Sequence, residues 1–176
     1  MLELLRQRRS VRKFQQRAVE SEKIALLTEA LLRAPTSRNL QPGQFVIVDD
    51  PQLIQGLSRS KAHGTGFLET AALAVVIAAD PQKSDVWTED SAIAAIIVQL
   101  AAEELGLKSC WGQLRQRPHD EELSASEYVR QLLDIPAGFE VPIVIGIGYA
   151  DEEKNGHLRE SLPDGKIHRN RFFEKK

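Results

Sequence analysis

Residues 88–105 read TEDSAIAAIIVQLAAEEL, and this stretch constrains the fold more than any other. Thr88 can cap a helix with Glu89 and Asp90 favourably placed in its first turn, and Gly106 supplies a C-terminal stop. Such a helix would be apolar on nearly every face, which indicates either the centre of a large core or a contact with a second subunit. A single core of 176 residues scarcely has room to wrap it. The sequence therefore predicts that this helix packs in a dimer interface.

Outward from this helix, three segments have strand patterns. Gln44–Asp49 alternates and contains β-branched residues, while Ala74–Ala79 and Val141–Ile147 are nearly continuous apolar runs, as in fully buried strands. The remaining predicted segments are a helix from Ser21 that ends before Pro35, a loop at Pro35–Gly43, a short strand at Lys108–Gln113, a helix near Ser126–Leu133 and a polar tail from Asp151. No internal repeat or linker interrupts the chain, so residues 1–176 are expected to form a single domain.

Composition removes several classes of partner. A charged fraction of 27%, a net charge of −2 and a pI near 6.1 give no field that favours nucleic acid or an anionic membrane. The longest apolar stretches, Ala71–Ala79 and Ala92–Ala102, are far shorter than the roughly 20 residues that span a bilayer. The N-terminus runs from apolar to basic, the reverse of a secretory signal, and the lone Cys110 excludes an intrachain disulfide. A cytoplasmic protein is expected.

Three familiar kinds of catalytic or binding site need spacings that this chain lacks. Gly146-Ile147-Gly148 follows a strand, but neither a third glycine nor a helix is there to receive a pyrophosphate. The four histidines are scattered and have no cysteine partners, so no metal site is predicted. No serine lies in a G-x-S-x-G elbow, and no histidine is placed to activate Cys110.

Residues 6–17 stand out because they are basic without one acidic residue, in a chain that is acidic overall. Arginine presents paired N–H donors to phosphate oxygens and stays charged at any working pH, and Ser10 adds a hydroxyl donor. Composition alone leaves two interpretations open, a phosphate site or a solvated helix end. A second basic cluster near the C-terminus is explained equally well by solubility, and it contains Lys166, His168, Arg169 and Arg171.

Five segments, considered together, indicate a known family. They are RRSVRKF (8–14), APTSRNLQP (34–42), LGLKSCW (105–111), LDIPAGF (133–139) with the strand ending in GIGY (146–149), and KIHRNR (166–171). In this order they resemble the motifs of the nitroreductase family, in a short-chain branch, over roughly residues 8–171. The resemblance implies a nitroreductase-like α+β fold, with a mostly antiparallel central sheet flanked by helices, in an intertwined homodimer whose C-terminal tail extends over the partner.

The resemblance also implies a cofactor, FMN, and the residues that bind it. The phosphate, the ribityl chain or the pyrimidine edge would be held near the N-terminus by Arg8, Arg9, Ser10 and Arg12, with Lys166 joining from the tail. The other subunit would contribute Pro35, Thr36, Ser37 and Asn39. Beside the isoalloxazine, with backbone N–H groups toward its N5 and O4, would lie Ser109, Cys110, Trp111 and Gly112. His63 falls where some members place a polar residue near the flavin.

The implied activity is reduction of small, electron-poor acceptors, such as nitroaromatics or quinones, by NADH or NADPH. Hydride would pass through FMN in a ping-pong sequence, so no side chain is expected to be catalytic. Two alternatives stay open. One is other flavin chemistry on this scaffold, such as dehalogenation, enone reduction or flavin breakdown, and the other is a module that binds or senses FMN without turnover.

Two departures from the family pattern bear on the acceptor. Gly43 stands where the family often has tryptophan after Q-P, which removes a bulky wall and predicts a wider acceptor pocket. Gln113 and Leu114 replace the glycine-rich or aromatic residues common after the tryptophan. Substrate choice is therefore not fixed by the sequence. The preference for NADH or NADPH is not fixed either, because no separate Rossmann site reads the ribose.

Overall fold

The computed structural model describes residues 1–172 of the chain. In chain order the elements are α1 (Leu2–Gln7), α2 (Ser21–Leu32), β1 (Gly43–Val48), α3 (Pro51–Ser58), β2 (Leu73–Ala79), α4 (Trp87–Glu104), β3 (Lys108–Gln113), α5 (Ala125–Leu132) and β4 (Glu140–Gly148). Short 3₁₀ turns lie at Ser37–Asn39, Gly66–Thr70, Arg159–Ser161 and Asp164–Lys166. Across residues 1–172, none of the helices has the length and hydropathy that a membrane crossing requires.

The four strands form one sheet in the order β1-β2-β4-β3, and every neighbouring pair is antiparallel. β2 and β4 lie at the centre, and their residues are buried apart from Glu140, which explains the continuous apolar runs. β1 and β3 are the two edges, and three strand spacings of ~4.8 Å place them about 14 Å apart. The predicted α+β fold with a mostly antiparallel sheet is therefore confirmed, and each predicted strand agrees with the structure to within a residue.

Helices cover both faces of the sheet, and β2 shows how one strand serves two cores. Leu73, Val75 and Ile77 face a core shared with α2 and α4, whereas Ala74 and Val76 face a core shared with α3 and α5. Because successive side chains of a strand point to opposite faces, a strand between two helical layers must be apolar at every position.

Helix α4 begins one residue earlier than the sequence predicts. The N–H of Asp90 donates to the carbonyl of Val86 at 3.1 Å, so Thr88 lies inside the first turn and its side chain caps nothing. The prediction of Thr88 as the cap is wrong for that reason. The C-terminal stop is confirmed, since Gly106 has a φ of +74°, in the left-handed region that favours glycine.

Two short helices, α1 and α3, escaped the sequence patterns. α3 has a clear start signal, because the Asp50 carboxylate accepts from the N–H groups of Gln52 and Leu53 at 2.8 and 3.0 Å, and Pro51 follows it. Neither helix was predicted from the sequence: α1 has six residues and none of them is buried, and the capping signal at Asp50 and Pro51 was not used. α5 lies close to its predicted range and opens on a capping box of Ser124 and Glu127.

Helix α4 has one face in the core and one face in solvent. Its inner face packs against α2 and the sheet. Its outer face carries Ile93, Ile96, Ile97 and Leu100, at the 3/4 spacing of a helix stripe, and Ile93 and Ile96 are each 37% exposed. We call these four residues the α4 stripe. A contiguous apolar stripe on a helix surface is typical of a contact with another protein surface.

Candidate functional site

The basic N-terminal segment, residues 8–14, contacts the start of β3 at Ser109 and then reaches Ala150, just beyond the end of β4. Ser10 forms an isolated parallel bridge with Ser109, and the N–H of Val11 donates to the carbonyl of Ser109 at 3.1 Å. Val11 and Phe14 are 2% and 3% exposed and insert into the core beneath α3 and α5. These two buried side chains fix the segment and leave its arginine side chains outside the core.

Residues that follow β4 hold this segment in place. The Lys154 ammonium donates to the carbonyl of Ser10 at 3.1 Å and pairs with Glu152 at 2.9 Å. Glu152 in turn accepts the backbone N–H of Arg12 at 2.5 Å. That N–H, followed by Lys154, holds the pKa of Glu152 below its usual value. Lys154 and Glu152 were not predicted from the sequence, because a single lysine in an acidic tail gives no local signal.

The cluster has an excess of positive charge. The Arg9 guanidinium donates to the backbone carbonyl of Asn155, and Lys154 is balanced by its own ion pair. Within residues 1–172, no carboxylate forms a hydrogen bond or an ion pair with the side chain of Arg8 or Arg12. Two guanidinium groups are therefore available to an anion from outside the chain.

Cys110 lies beside this cluster but is not a reactive group. Burial raises the pKa of its thiol, and the nearby charges of Arg12 and Lys154 oppose that rise only in part. The side chain is 2% exposed and belongs to the core beneath α3 and α5. A buried, protonated thiol of this kind acts in packing.

The edge strand β3 carries unpaired backbone donors next to the cations. In an antiparallel pair the backbone groups of alternate residues point to the same side. Because the carbonyl of Ser109 points outward to Val11, the backbone groups of Trp111 and Gln113 point outward as well. Within the part of the chain that the structure describes, the N–H groups of Trp111 and Gln113 have no hydrogen-bond partner. We call this row the open edge of β3.

The side chains near the start of the open edge turn away from it. The Ser109 hydroxyl lies 3.5 Å from the Gln99 amide oxygen of α4, inside the core. A Cβ on Gly112 would lie 2.9 Å from a Val144 methyl and 3.2 Å from that of Thr65, so a side chain has no room there. The residues from Ser109 to Gly112 therefore present backbone, not side-chain hydroxyl or thiol groups, to a ligand.

The loop with the predicted residues Pro35, Thr36, Ser37 and Asn39 lies elsewhere. The N–H of Ser37 donates to buried Asp90 in α4 at 2.9 Å, and the loop leads into β1, the edge opposite β3. Arg38 and Asn39 have φ of 52° and 54°, so the loop turns through the left-handed region. One chain thus does not bring this loop to the cations at β3.

Two further predicted residues have separate places. His63 is exposed in the loop after α3, where its neighbour Lys61 donates to the carbonyl of Gln113 at 2.7 Å. Lys166 is exposed in the tail and, within residues 1–172, forms no side-chain hydrogen bond or ion pair with the N-terminal segment. The structure therefore brings the His63 loop to the far end of β3, and it does not bring Lys166 to the site.

Comparison with known proteins identifies the family. Residues 5–65 match the model of the nitroreductase family. A curated protein of Archaeoglobus fulgidus, provisionally named NADH dehydrogenase/NAD(P)H nitroreductase, is 33% identical over 97% of this chain and 98% of its own length. The chain belongs to the nitroreductase family.

Solved structures agree with this membership. An FMN-dependent nitroreductase from Clostridium difficile R20291 is 43% identical, with a TM-score of 0.96 over 98% of this chain and 100% of that one. The NADPH:FMN oxidoreductase of Vibrio harveyi, complexed with NAD⁺, is 23% identical, with a TM-score of 0.80 over 99% of this chain and 79% of that one. At that identity the second likeness concerns the fold alone.

In this nitroreductase-family chain, Gly43 lines a cavity of about 380 Å³ between α2, β1 and the start of α4. Leu31, Phe45 and Asp90 also line it. A Cβ at position 43 would contact the Phe45 ring at 3.4 Å. The glycine therefore leaves open a space that a tryptophan would partly fill, and the wider acceptor pocket stays a prediction.

Proposed function

We propose that this chain is an FMN-dependent NAD(P)H oxidoreductase that reduces small, electron-poor acceptors such as nitroaromatics and quinones. One observation carries the proposal: unpaired guanidinium groups adjoin a sheet edge whose N–H groups are unpaired. FMN matches that surface, because it joins an anionic phosphate to a planar ring with hydrogen-bond acceptors along one side. The name of the 43% identical relative, an FMN-dependent nitroreductase, supports the choice of cofactor.

The residues present fit this cofactor. Arg8, Ser10 and Arg12 would hold the phosphate and the adjoining chain, with Lys154 completing the cationic side. The N–H groups of the open edge would meet the acceptor atoms of the ring. Each charge-assisted hydrogen bond of this kind contributes roughly 1.5–3 kcal/mol, so a few of them are enough for tight binding.

The chain's own groups bind, orient and shield, and none needs to exchange a proton. When bound, FMN would supply the two-electron hydride chemistry of a ping-pong reaction between NADH or NADPH and the acceptor. The cations of the N-terminal segment hold the phosphate, and the fixed backbone of β3 orients the ring. The neutral, buried thiol of Cys110 is not a nucleophile, so we assign no catalytic side chain.

We also propose that the site is completed by a second copy of the chain. The loop of Pro35, Thr36, Ser37 and Asn39 lies at the edge opposite the cations, so a ligand at β3 would meet this loop only if another subunit supplied it. The α4 stripe offers the apolar surface for that association. A homodimer with FMN at the interface satisfies both observations.

The C-terminal tail gives independent support for the homodimer. Leu158 and Ile167 are 73% and 77% exposed, and Leu162 is 45% exposed, although large apolar side chains are normally covered. β1 is an edge strand, and among residues 1–172 no further strand pairs with its outer side. We propose that the tail extends over the partner, which would also carry Lys166 toward the partner's flavin phosphate.

An absorption spectrum tests the function directly. The purified protein is expected to take up FMN, to lose the flavin's visible band with NADH or NADPH under anaerobic conditions, and to recover it with a nitrofuran or a quinone. Binding without bleaching would favour the non-catalytic module. Bleaching followed by turnover only with halogenated or enone acceptors would favour the other flavin chemistries.

Matched variants connect the spectrum to the proposed site. The double variant Arg8→Met/Arg12→Met is expected to weaken FMN binding about 100-fold or more, from two lost charge-assisted contacts. Arg33→Met removes an exposed arginine that follows α2 and pairs with Glu29, and this variant should bind FMN as the wild type does. Equal affinities of the two variants for FMN would contradict the site.

A further inference from the structure

A second group of cations lies at the far end of the open edge. The loop after α3 crosses this end, and the Lys61 ammonium donates to the carbonyl of Gln113 at 2.7 Å. Gly64, with a φ of +90°, folds the loop back over Lys61, and a Cβ there would lie 3.4 Å from the Lys61 Nζ. The ammonium is therefore held at a fixed place, and within residues 1–172 its hydrogen bond to Gln113 uses one of its three N–H groups.

Arg117 lies in the segment that follows β3, where its backbone N–H donates to the carbonyl of Leu114 at 3.0 Å, one residue beyond Gln113. The segment after β3 is joined to the loop through His119, whose Nδ1 lies 3.2 Å from the carbonyl oxygen of Ser60. Burial lowers the pKa of Lys61, and the nearby charge of Arg117 lowers it further. Over residues 1–172, no carboxylate forms a hydrogen bond or an ion pair with either cation.

The acidic residues that follow do not neutralise this pair. The Asp120 carboxylate accepts the N–H groups of Glu122 and Leu123 at 2.9 and 2.7 Å, which directs it into its own turn. Two like charges that adjoin without a counter-charge oppose folding. Two neighbouring cations without a counter-charge are typical of a binding site in which an anion from outside the chain supplies that charge.

This pair is distinct from the site proposed for the FMN phosphate. Ser10 adjoins Ser109 at one end of β3, and Lys61 binds Gln113 at the other. Four residues of strand at ~3.4 Å each separate the two ends by about 14 Å. One phosphate group cannot contact both ends, so the second cationic group is available to a different anion.

We propose that Lys61 and Arg117 form an anion subsite that binds an oxyanion of a reactant exchanging electrons with the flavin. Two reactants carry such a group: NADPH, through its 2′-phosphate, and an acceptor that bears a carboxylate. Either group would bind at the Gln113 end of the open edge of β3, beside the place proposed for the flavin ring. The subsite rests on the proposed function, because it selects among the substrates of that reaction.

The test compares charged and neutral reactants in the holoenzyme. The variant Lys61→Gln/Arg117→Gln is measured with NADPH against NADH, and with 4-nitrobenzoate against 4-nitrobenzamide. In one of these two pairs, kcat/KM for the charged compound, NADPH or 4-nitrobenzoate, is expected to fall about tenfold or more. This corresponds to the loss of a charge-assisted hydrogen bond of roughly 1.5–3 kcal/mol. The kcat/KM of the matching compound without that charged group, NADH or 4-nitrobenzamide, should change little. Arg59→Gln, which removes an exposed charge from the same loop, should leave both ratios unchanged.

Binding without turnover gives a second readout. Calorimetry compares the 2′-phosphorylated form of ADP-ribose with ADP-ribose, and 4-nitrobenzoate with 4-nitrobenzamide. A selective loss for the 2′-phosphate would assign the subsite to NADPH, and a selective loss for the benzoate would assign it to the acceptor. Equal changes for charged and neutral compounds, or no change, would overturn the subsite.

An FMN titration separates the two proposals. In one outcome, the wild type and Lys61→Gln/Arg117→Gln bind FMN equally and both turn over. If the ratios of kcat/KM for charged and neutral reactants are then the same in both proteins, only the subsite is overturned. If the wild type takes up no FMN, the proposed function fails, and the subsite fails with it.

Discussion

Lys154→Met is the most informative change at the proposed FMN site. Lys154 joins the carbonyl of Ser10 at 3.1 Å to the carboxylate of Glu152 at 2.9 Å. The side chains of Lys154 and Glu152 are only 24% and 21% exposed, so solvent screens this pair less than a surface pair. Methionine keeps the length of the side chain and removes its charge. The carboxylate would then remain beside the guanidinium groups that we propose to bind the phosphate, without its neutralising partner.

The magnitude follows from the contact that is lost. A charge-assisted hydrogen bond contributes roughly 1.5–3 kcal/mol, and each 1.4 kcal/mol changes a dissociation constant about tenfold. Lys154→Met should therefore raise the Kd for FMN about ten- to a hundredfold. Adding Glu152→Gln should restore part of the affinity, because the substitution removes the uncompensated negative charge.

The assay is a titration of the apoprotein that follows quenching of FMN fluorescence. Lys13→Met is the matched control, since it removes an exposed charge from the same segment, and its Kd should change less than about fivefold. Equal Kd values for Lys154→Met and Lys13→Met would refute a direct role of Lys154 in the site. A lower Kd for Lys154→Met than for the wild type would refute the whole cationic cluster as a phosphate site.

Three further perturbations test the interface, the electrostatics and the packing. Ile96→Glu puts a charge on the α4 stripe. Light scattering should then show a monomer, and titration should show weakened FMN binding. An unchanged dimer would exclude the stripe as the interface. The Tyr149 hydroxyl donates to Glu20 at 2.6 Å and is the main cause that lowers the pKa of Glu20 to about 2. Because its pKa is lowered, the Glu20 carboxylate stabilises the fold above pH 4.5, and this stabilisation is lost as the pH falls toward about 2. Tyr149→Phe should therefore be less stable to urea than the wild type at pH 7. The part of that difference that is due to Glu20 should vanish near pH 2. A loss of the same size at both pH values would show that Glu20 is not involved. Gly146→Ala would place a Cβ 2.8 Å from the Phe67 ring and should cost about 1–3 kcal/mol in urea unfolding, unless that ring can move.

Strands and long helices could be predicted because they leave repeating local patterns. The apolar runs of β2 and β4 reflect burial on two faces, and the stop at Gly106 reflects a backbone conformation that glycine favours. The short helices α1 and α3 were not predicted and became visible only in the folded chain, whereas α5, as short as α3, was predicted close to its observed range. The motifs of the N-terminal segment and of β3 indicated the family and the positions that we propose for FMN.

The sequence by itself determined the family, the order of the strands along the chain and the basic segment at residues 8–12. Only the tertiary structure decided that Lys154 adjoins Ser10, 144 positions away, that Lys61 binds Gln113, and that the 35–39 loop lies at the opposite edge of the sheet. Periodicity records contacts between near neighbours in the chain. A contact between distant residues depends on the path of the whole backbone, and one sequence carries no repeat from which that path can be read.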